Sequence, residues 1–290
     1  MGRIRRINSG YFFVAPSMLV IAVFVIGPIF QAFWMSLHDW SFVAPVRPFV
    51  GLANYRELAH DDRFWNALKV TAVYTLGSVP TQIVLALALA LALNERLRAV
   101  TVFRAAFFFP VISSLAVMAI VWSFLLDPDI GLLSYWFARV GIGPTNWLQS
   151  TTWALPAVIG VGIWKNLGFT MVILLAGLQG ISETYYEAAS IDGAGRWARF
   201  RDITLPGLRQ TMLFVTVIGV IASLQAFDQV YVMTRGGPLF TTETLVTYMY
   251  HQAFDLFRMG YAASIAWVLF VIIMAGSVVQ LRLFRYQDVD

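Results

Sequence analysis

The stretch Ala86-Leu87-Ala88-Leu89-Ala90-Leu91-Ala92-Leu93 decides the fold. Its alternation has the period of a β-strand, whose successive side chains take opposite faces. Both alternating residues are apolar, so no polar face results, and an open strand in lipid would leave its backbone groups unpaired. Wound as a helix, the stretch places Ala86 near Ala90 and Ala88 near Ala92, small residues suited to close helix packing. It ends an uncharged run that begins at Val70 and is long enough to cross a bilayer. The predicted fold is all-α and integral to a membrane.

The composition agrees. Apolar residues make up 59% of the 290 residues and charged ones only 12%, with mean hydropathy +0.72. A soluble domain carries about 25% charge, so a soluble enzyme is excluded. Five more spans are predicted. Tyr11–Leu37 is uncharged over 27 residues and is kinked by Pro28. The others are Ala105–Leu126, Trp153–Leu178 with the single charge of Lys165, Gln210–Phe227 with an extension toward Val232, and Met259–Leu281. Arg3, Arg5 and Arg6 precede the first span, whose apolar length exceeds the core of a cleavable signal peptide.

Six spans place both termini on one side. Twelve of the 20 basic residues fall on that side, among them Arg96, Arg98, Arg104, Arg196, Arg199, Arg201 and Arg209. Seven fall on the other, mixed with eight acidic residues. The positive-inside rule makes the termini cytoplasmic. It also explains the net charge of +4 without a nucleic-acid partner. The external loops, near residues 38–69, 127–152 and 233–258, are long and aromatic; Gly236-Gly237-Pro238 signals a turn, after which Thr244–Phe257 forms an amphipathic helix. Cysteine is absent, and His38, His60 and His251 lack metal-ligand spacing. No catalytic constellation and no metal site is predicted.

The most polar segment is the internal loop 179–209. It reads Tyr186-Glu187-Ala188-Ala189-Ser190-Ile191-Asp192-Gly193-Ala194, then Phe200, then Ile203-Thr204-Leu205-Pro206. Ser182 suits an N-cap, and Glu183 complements the helix dipole. Gly193 suits the left-handed residue that closes a helix, and Pro206 the first position of the next. Ala188 and Ala189 leave one side low and flat, a shape that another protein's surface can receive. An ordinary cytoplasmic helical hairpin satisfies the same pattern.

Glu187-Ala188-Ala189, Asp192-Gly193-Ala194 and Ile203-Thr204-Leu205-Pro206 resemble the EAA loop of binding-protein-dependent ABC importer permeases. Phe49-Val50-Gly51-Leu52-Ala53-Asn54-Tyr55 and Thr234-Arg235-Gly236-Gly237-Pro238 with Thr241 resemble the sugar-permease branch. The resemblance runs from about Pro16 to Arg285. It implies a type I ABC importer permease fold, in which residues 1–65 add a first span and loop to a membrane domain over 66–284, with a tail at 285–290. It also implies that Glu187, Ala188, Ala189, Asp192, Gly193, Ala194 and Pro206 belong to a coupling helix seated on an ATPase. The implied partners are a second homologous permease, an ATPase dimer and an external solute-binding lipoprotein, all at a bacterial inner membrane. The chain has no G-x-x-x-x-G-K-[ST] loop, so ATP and magnesium are expected on the partner and no cofactor here.

Polar groups within the spans are candidates for the solute path, because they are costly against lipid. Gln225, Asp228 and Gln229 stand at i, i+3 and i+4 with Phe227 and Tyr231 nearby. Amides and carboxylates bind vicinal hydroxyls, and aromatic rings stack on sugars. An interfacial helix end would show the same pattern. Trp164, Lys165 and Asn166 form the second group; Lys165 could equally serve a structural ion pair. Tyr74, Gln82 and Gln179 have less to distinguish them. The expected solute is a sugar, with glycerol 3-phosphate or a related phosphodiester as the alternative. An ion-coupled secondary transporter would need internal repeats and intramembrane carboxylates, for which only Asp228 is available.

Overall fold

The computed structural model describes residues 3–43, 45–94, 100–141, 143 and 146–285. Arg96, Arg98 and the tail from residue 286 lie outside the described residues. Among the described residues the chain is helical, and extended pairing is confined to one isolated bridge between His38 and Phe49.

The first span runs through α1 (Arg3–Ile21), a π turn (Ala22–Ile26) and α2 (Gly27–Ser36). The π turn stands just before Pro28, whose ring would press on the carbonyl four residues back. Widening the helix there relieves that clash and spares the missing N–H. The short α3 (Ala53–Ala59) precedes α4 (Asp62–Asn94), the long second span. Next come α5 (Val100–Ile112), α6 (Leu115–Leu125), α7 (Leu132–Arg139) and α8 (Ala154–Gln179). The internal loop contains α9 (Glu183–Ile191), α10 (Arg196–Arg199) and the turn α11 (Leu205–Gly207). The chain closes with α12 (Arg209–Leu224), α13 (Asp228–Met233), α14 (Leu245–Tyr250) and α15 (Met259–Arg285).

Two predicted spans are not single helices. The third, expected to run unbroken over Ala105–Leu126, bends by 101° between α5 and α6. Pro110 lies three residues before the break, and Ser114 takes an extended conformation (φ −62°, ψ 128°) to start the second half. The fifth stops at Leu224 and resumes at Asp228, so Gln225, Asp228 and Gln229 do not share one continuous helical face. Counting the bent pair as one, six apolar segments have the length and composition to cross a membrane.

The chain divides into two compact units. The first combines residues 1–62 with 249–271. Within it, Asn54 donates to the Ser36 and His38 carbonyls at 2.8 and 3.1 Å, and Tyr55 and Ser36 share a hydroxyl contact of 2.7 Å. Those bonds satisfy carbonyls at the end of α2 and give the Asn54-Tyr55 pair its structural reason. Arg258 grips Glu57 with two bonds of 2.7 and 2.8 Å, and the Tyr261 hydroxyl donates to Asp61 at 2.5 Å.

The second unit holds residues 63–248 and 272–290. Its larger core joins Ile83, Ala86, Ala90 and Leu93 of α4 to Met171, Leu174, Leu175 and Leu178 of α8. Ala86 and Ala90 are fully buried, so they form the small-residue stripe, whereas Ala88 and Ala92 face outward. Along α8 the α5 backbone comes so near that a β-carbon on Gly168 would stand 2.1 Å from the Phe107 carbonyl oxygen. Glycine is required there. A second core gathers Tyr74, Ala119, Leu126, Val158, Val161, Val230 and Met233.

Candidate functional site

The second unit encloses a cavity of about 480 Å³, within the usual range of small-molecule sites. Its walls come from α4, α8, α12 and the interrupted segment leading into α13. The interruption does the positioning: it carries Gln225, Phe227 and Asp228 to the cavity together with Gln229. Tyr74, Gln82 and Asn166 also line it, as do Ser78, Phe169, Thr170 and Ser223. The sequence offers no periodic signal for those last four, which are small or apolar residues inside long spans.

The polar lining is partly preorganised. Gln229, buried, donates to the Tyr74 hydroxyl at 2.7 Å. Gln82 donates to Thr170 at 2.7 Å, and Asn166 to the Gly162 carbonyl at 3.0 Å. These bonds use the amide N–H groups and restrict the side-chain rotamers. A β-carbon on Gly162 would stand 2.2 Å from the Tyr74 oxygen, so the glycine admits that hydroxyl. Phe227 stacks on Tyr231, with centroids 5.2 Å apart and planes 22° apart. Among the described residues, the side chains of Gln225 and Asp228 have no partner. Amide, hydroxyl and aromatic groups around a cavity of this volume can hydrogen-bond a polyhydroxylated solute and stack on its apolar face.

Trp164 and Lys165 do not line this cavity. The Trp164 ring packs edge-on against Trp122 at 5.4 Å. Lys165 is buried and donates to the Val111 carbonyl at 2.6 Å. That carbonyl belongs to the last turn of α5, where the bend removes its helical partner. Gln179 lies elsewhere, as the last residue of α8.

The internal loop has well-defined caps. Ser182 accepts from the Thr184 amide at 3.4 Å to start α9. At the other end Gly193 has φ +76°, its N–H bonds the Ser190 carbonyl at 3.2 Å, and the Ala194 N–H bonds the Ala189 carbonyl at 2.8 Å. This is a complete Schellman closure. Thr204, buried, meets the Tyr186 hydroxyl at 3.0 Å and so ties α9 to the following segment. Pro206 begins α11. Glu187 and Ala188 are exposed, Ala189 is half-buried, and Tyr185, Ile191 and Trp197 present apolar surface to solvent. A hollow of about 550 Å³ beside them is lined by Asn94, Gln179, Glu183, Tyr186, Glu187 and Arg199. Asp192, Gly193 and Ala194 form the turn that closes α9. Arg201 bonds Asp202 at 2.8 Å and holds that exposed carboxyl below the usual range.

An ion pair ties the start of α4 to the loop between α13 and α14. Arg63 donates to both oxygens of Glu243 at 2.7 Å, and the Glu243 side chain is fully buried. The guanidinium also lies 4.0 Å over Phe240 and 5.2 Å from the Tyr248 centroid. The two partners are 180 residues apart in sequence, and no local pattern announces them.

A family profile described as binding-protein-dependent transport system inner membrane component matches residues 62–288. The trehalose/maltose transport system permease protein MalF of Thermococcus litoralis is 35% identical, over 98% of this chain and 96% of its own. The lactose transport system permease protein LacF of Rhizobium radiobacter is 35% identical over 94% and 92%. In fold, the chain is similar to a bacterial ABC transporter involved in import of the acidic polysaccharide alginate, with TM-score 0.84 over 98% of this chain and 97% of that one, at 22% identity.

Proposed function

The chain belongs to the family of binding-protein-dependent transport system inner membrane components, and from that premise we propose that it is a permease subunit of an ATP-driven sugar importer. It forms half of the translocation path, and an external binding protein delivers the solute to it. The observation that carries the reading is the cavity, where five of the seven path candidates, Asn166, Gln225, Phe227, Asp228 and Gln229, meet in one polar and aromatic lining. Relatives named for trehalose, maltose and lactose transport support a sugar over a phosphodiester. The binding-protein-dependent family disfavours an ion-coupled carrier.

In this reading both termini are cytoplasmic, the membrane domain spans about residues 66–284, and the first span is an addition to it. The exposed face of α9, with Glu187, Ala188 and Ala189, docks on a separate ATPase that supplies ATP and magnesium chemistry. Gly193 and Ala194 shape the turn beside it. Lys165 acts on the bend of the third span.

The test is uptake by proteoliposomes that contain this chain, its partner permease and ATPase, with labelled maltose, trehalose and lactose as probes. The expected result is accumulation of at least one probe that needs both ATP and the external binding protein. Accumulation driven by an ion gradient without ATP would overturn it.

A further inference from the structure

Charge, which the sugar reading leaves undetermined, is written into the cavity wall. Of the residues that line it, only Asp228 carries a formal charge; the other polar groups are the amides of Gln82, Asn166, Gln225 and Gln229 and the hydroxyls. Asp228 is exposed to the cavity and has no partner among the described residues. The adjacent basic side chain in the wall helix, Lys165, is committed to the Val111 carbonyl at 2.6 Å and stays out of the lining. Nothing in this lining compensates an anion.

We propose that Asp228 makes the cavity a charge filter: it admits neutral or cationic hydroxylated solutes, such as sugars and amino sugars, and excludes phosphorylated or uronate ones. The proposal rests on the reading of the cavity as the solute path. A like charge about 6 Å away at an effective dielectric near 20 is disfavoured by about a hundredfold, and an opposite charge is favoured comparably. Asn166 and Gln225 hydrogen-bond hydroxyls of either class, so the carboxylate alone sorts them.

The chain contains no cysteine, which allows a test that needs no knowledge of the natural solute. Ala222, another lining residue, is replaced as Ala222→Cys in the assembled importer, with any partner cysteines substituted. Its thiol is then reacted with a neutral maleimide, a trimethylammonioethyl methanethiosulfonate and a sulfonatoethyl methanethiosulfonate. Rates are divided by those of the same reagents with free mercaptoethanol. The expected cationic-to-anionic ratio is raised about tenfold, allowing for partial screening, and falls close to one when Asp228→Asn is added. If the maleimide does not reach the thiol, the path reading fails and the filter with it. If the maleimide reacts but the ratio is unaffected by Asp228→Asn, the path stands and the filter is refuted; a wild-type ratio close to one, as a basic residue supplied by the partner permease would produce, refutes it as well.

Discussion

Removing Arg63 should destabilise the protein more than removing any exposed charge. The bonds to Glu243 are bidentate at 2.7 Å, the glutamate side chain has no exposed surface, and the arginine side chain is 32% exposed. In Arg63→Met the glutamate stays buried without its counter-charge, a change that costs about 3–5 kcal/mol in fully buried pairs. Water reaching the vacated, partly open arginine site places the expectation at the lower end, about 3 kcal/mol. Loss of the cation–π contact with Phe240 adds in the same direction, and the methionine stem keeps part of the apolar contact. For a chain of 290 residues that corresponds to a fall in melting temperature of about 5 °C. The assay is thermal unfolding of the purified chain in detergent, followed by tryptophan fluorescence. Glu243→Gln retains an acceptor for one N–H and should cost less. The double variant Arg63→Met with Glu243→Gln should recover at least about 1 kcal/mol relative to the sum of the singles. A shift below about 2 °C for Arg63→Met, with no recovery in the double variant, would refute the argument that this pair clamps the loop.

Gly193→Val forces a β-branched residue to φ +76°, at a cost of about 1–2 kcal/mol; the chain should reach the membrane but copurify poorly with its ATPase, and unaltered copurification would count against docking through α9. Gly162→Ala should push the Tyr74 hydroxyl away from Gln229 and lower uptake of the effective sugar probe several-fold while assembly persists; wild-type uptake would sink the positioning role. Lys165→Met leaves the Val111 carbonyl unpaired and should destabilise by about 1–3 kcal/mol, read as a lower melting temperature, with the charge ratio at the Ala222→Cys thiol unchanged. Gln225→Ala removes a partnerless amide from the cavity, so uptake should fall by a factor corresponding to about 1–3 kcal/mol without loss of thermal stability; equal uptake would move the path elsewhere.

Much of this architecture is legible in the residues, and its gaps have identifiable causes. Hydropathy finds each crossing because it sums over a window, and for the same reason it cannot see the 101° bend after Pro110. The caps at Ser182 and Gly193 are local, so their residues announce them. Gln225, Asp228 and Gln229 meet in the cavity as their spacing suggests, but through an interruption rather than along a shared helical face. Lys165 is conspicuous in sequence, yet its partner Val111 is 54 positions away. Arg63 and Glu243 look like unremarkable loop charges until folding places them together. What escapes sequence reading is distant pairing and helix continuity.

The interruption at residues 225–227 also has a mechanical meaning. The segment after α9 runs through α10 and α11 into α12, whose 16 residues form a rod about 24 Å long that ends at Leu224. Beyond the joint, α13 is moored independently: Gln229 bonds Tyr74, and Thr244 bonds the Ala226 carbonyl at 2.7 Å. A push on the loop therefore need not drag the outer half with it. Tilting the rod by about ten degrees would swing its far end by about 4 Å, across the wall that Gln225 occupies. On the proposed reading the fifth span would work as a forearm and elbow, with the solute held at the crook.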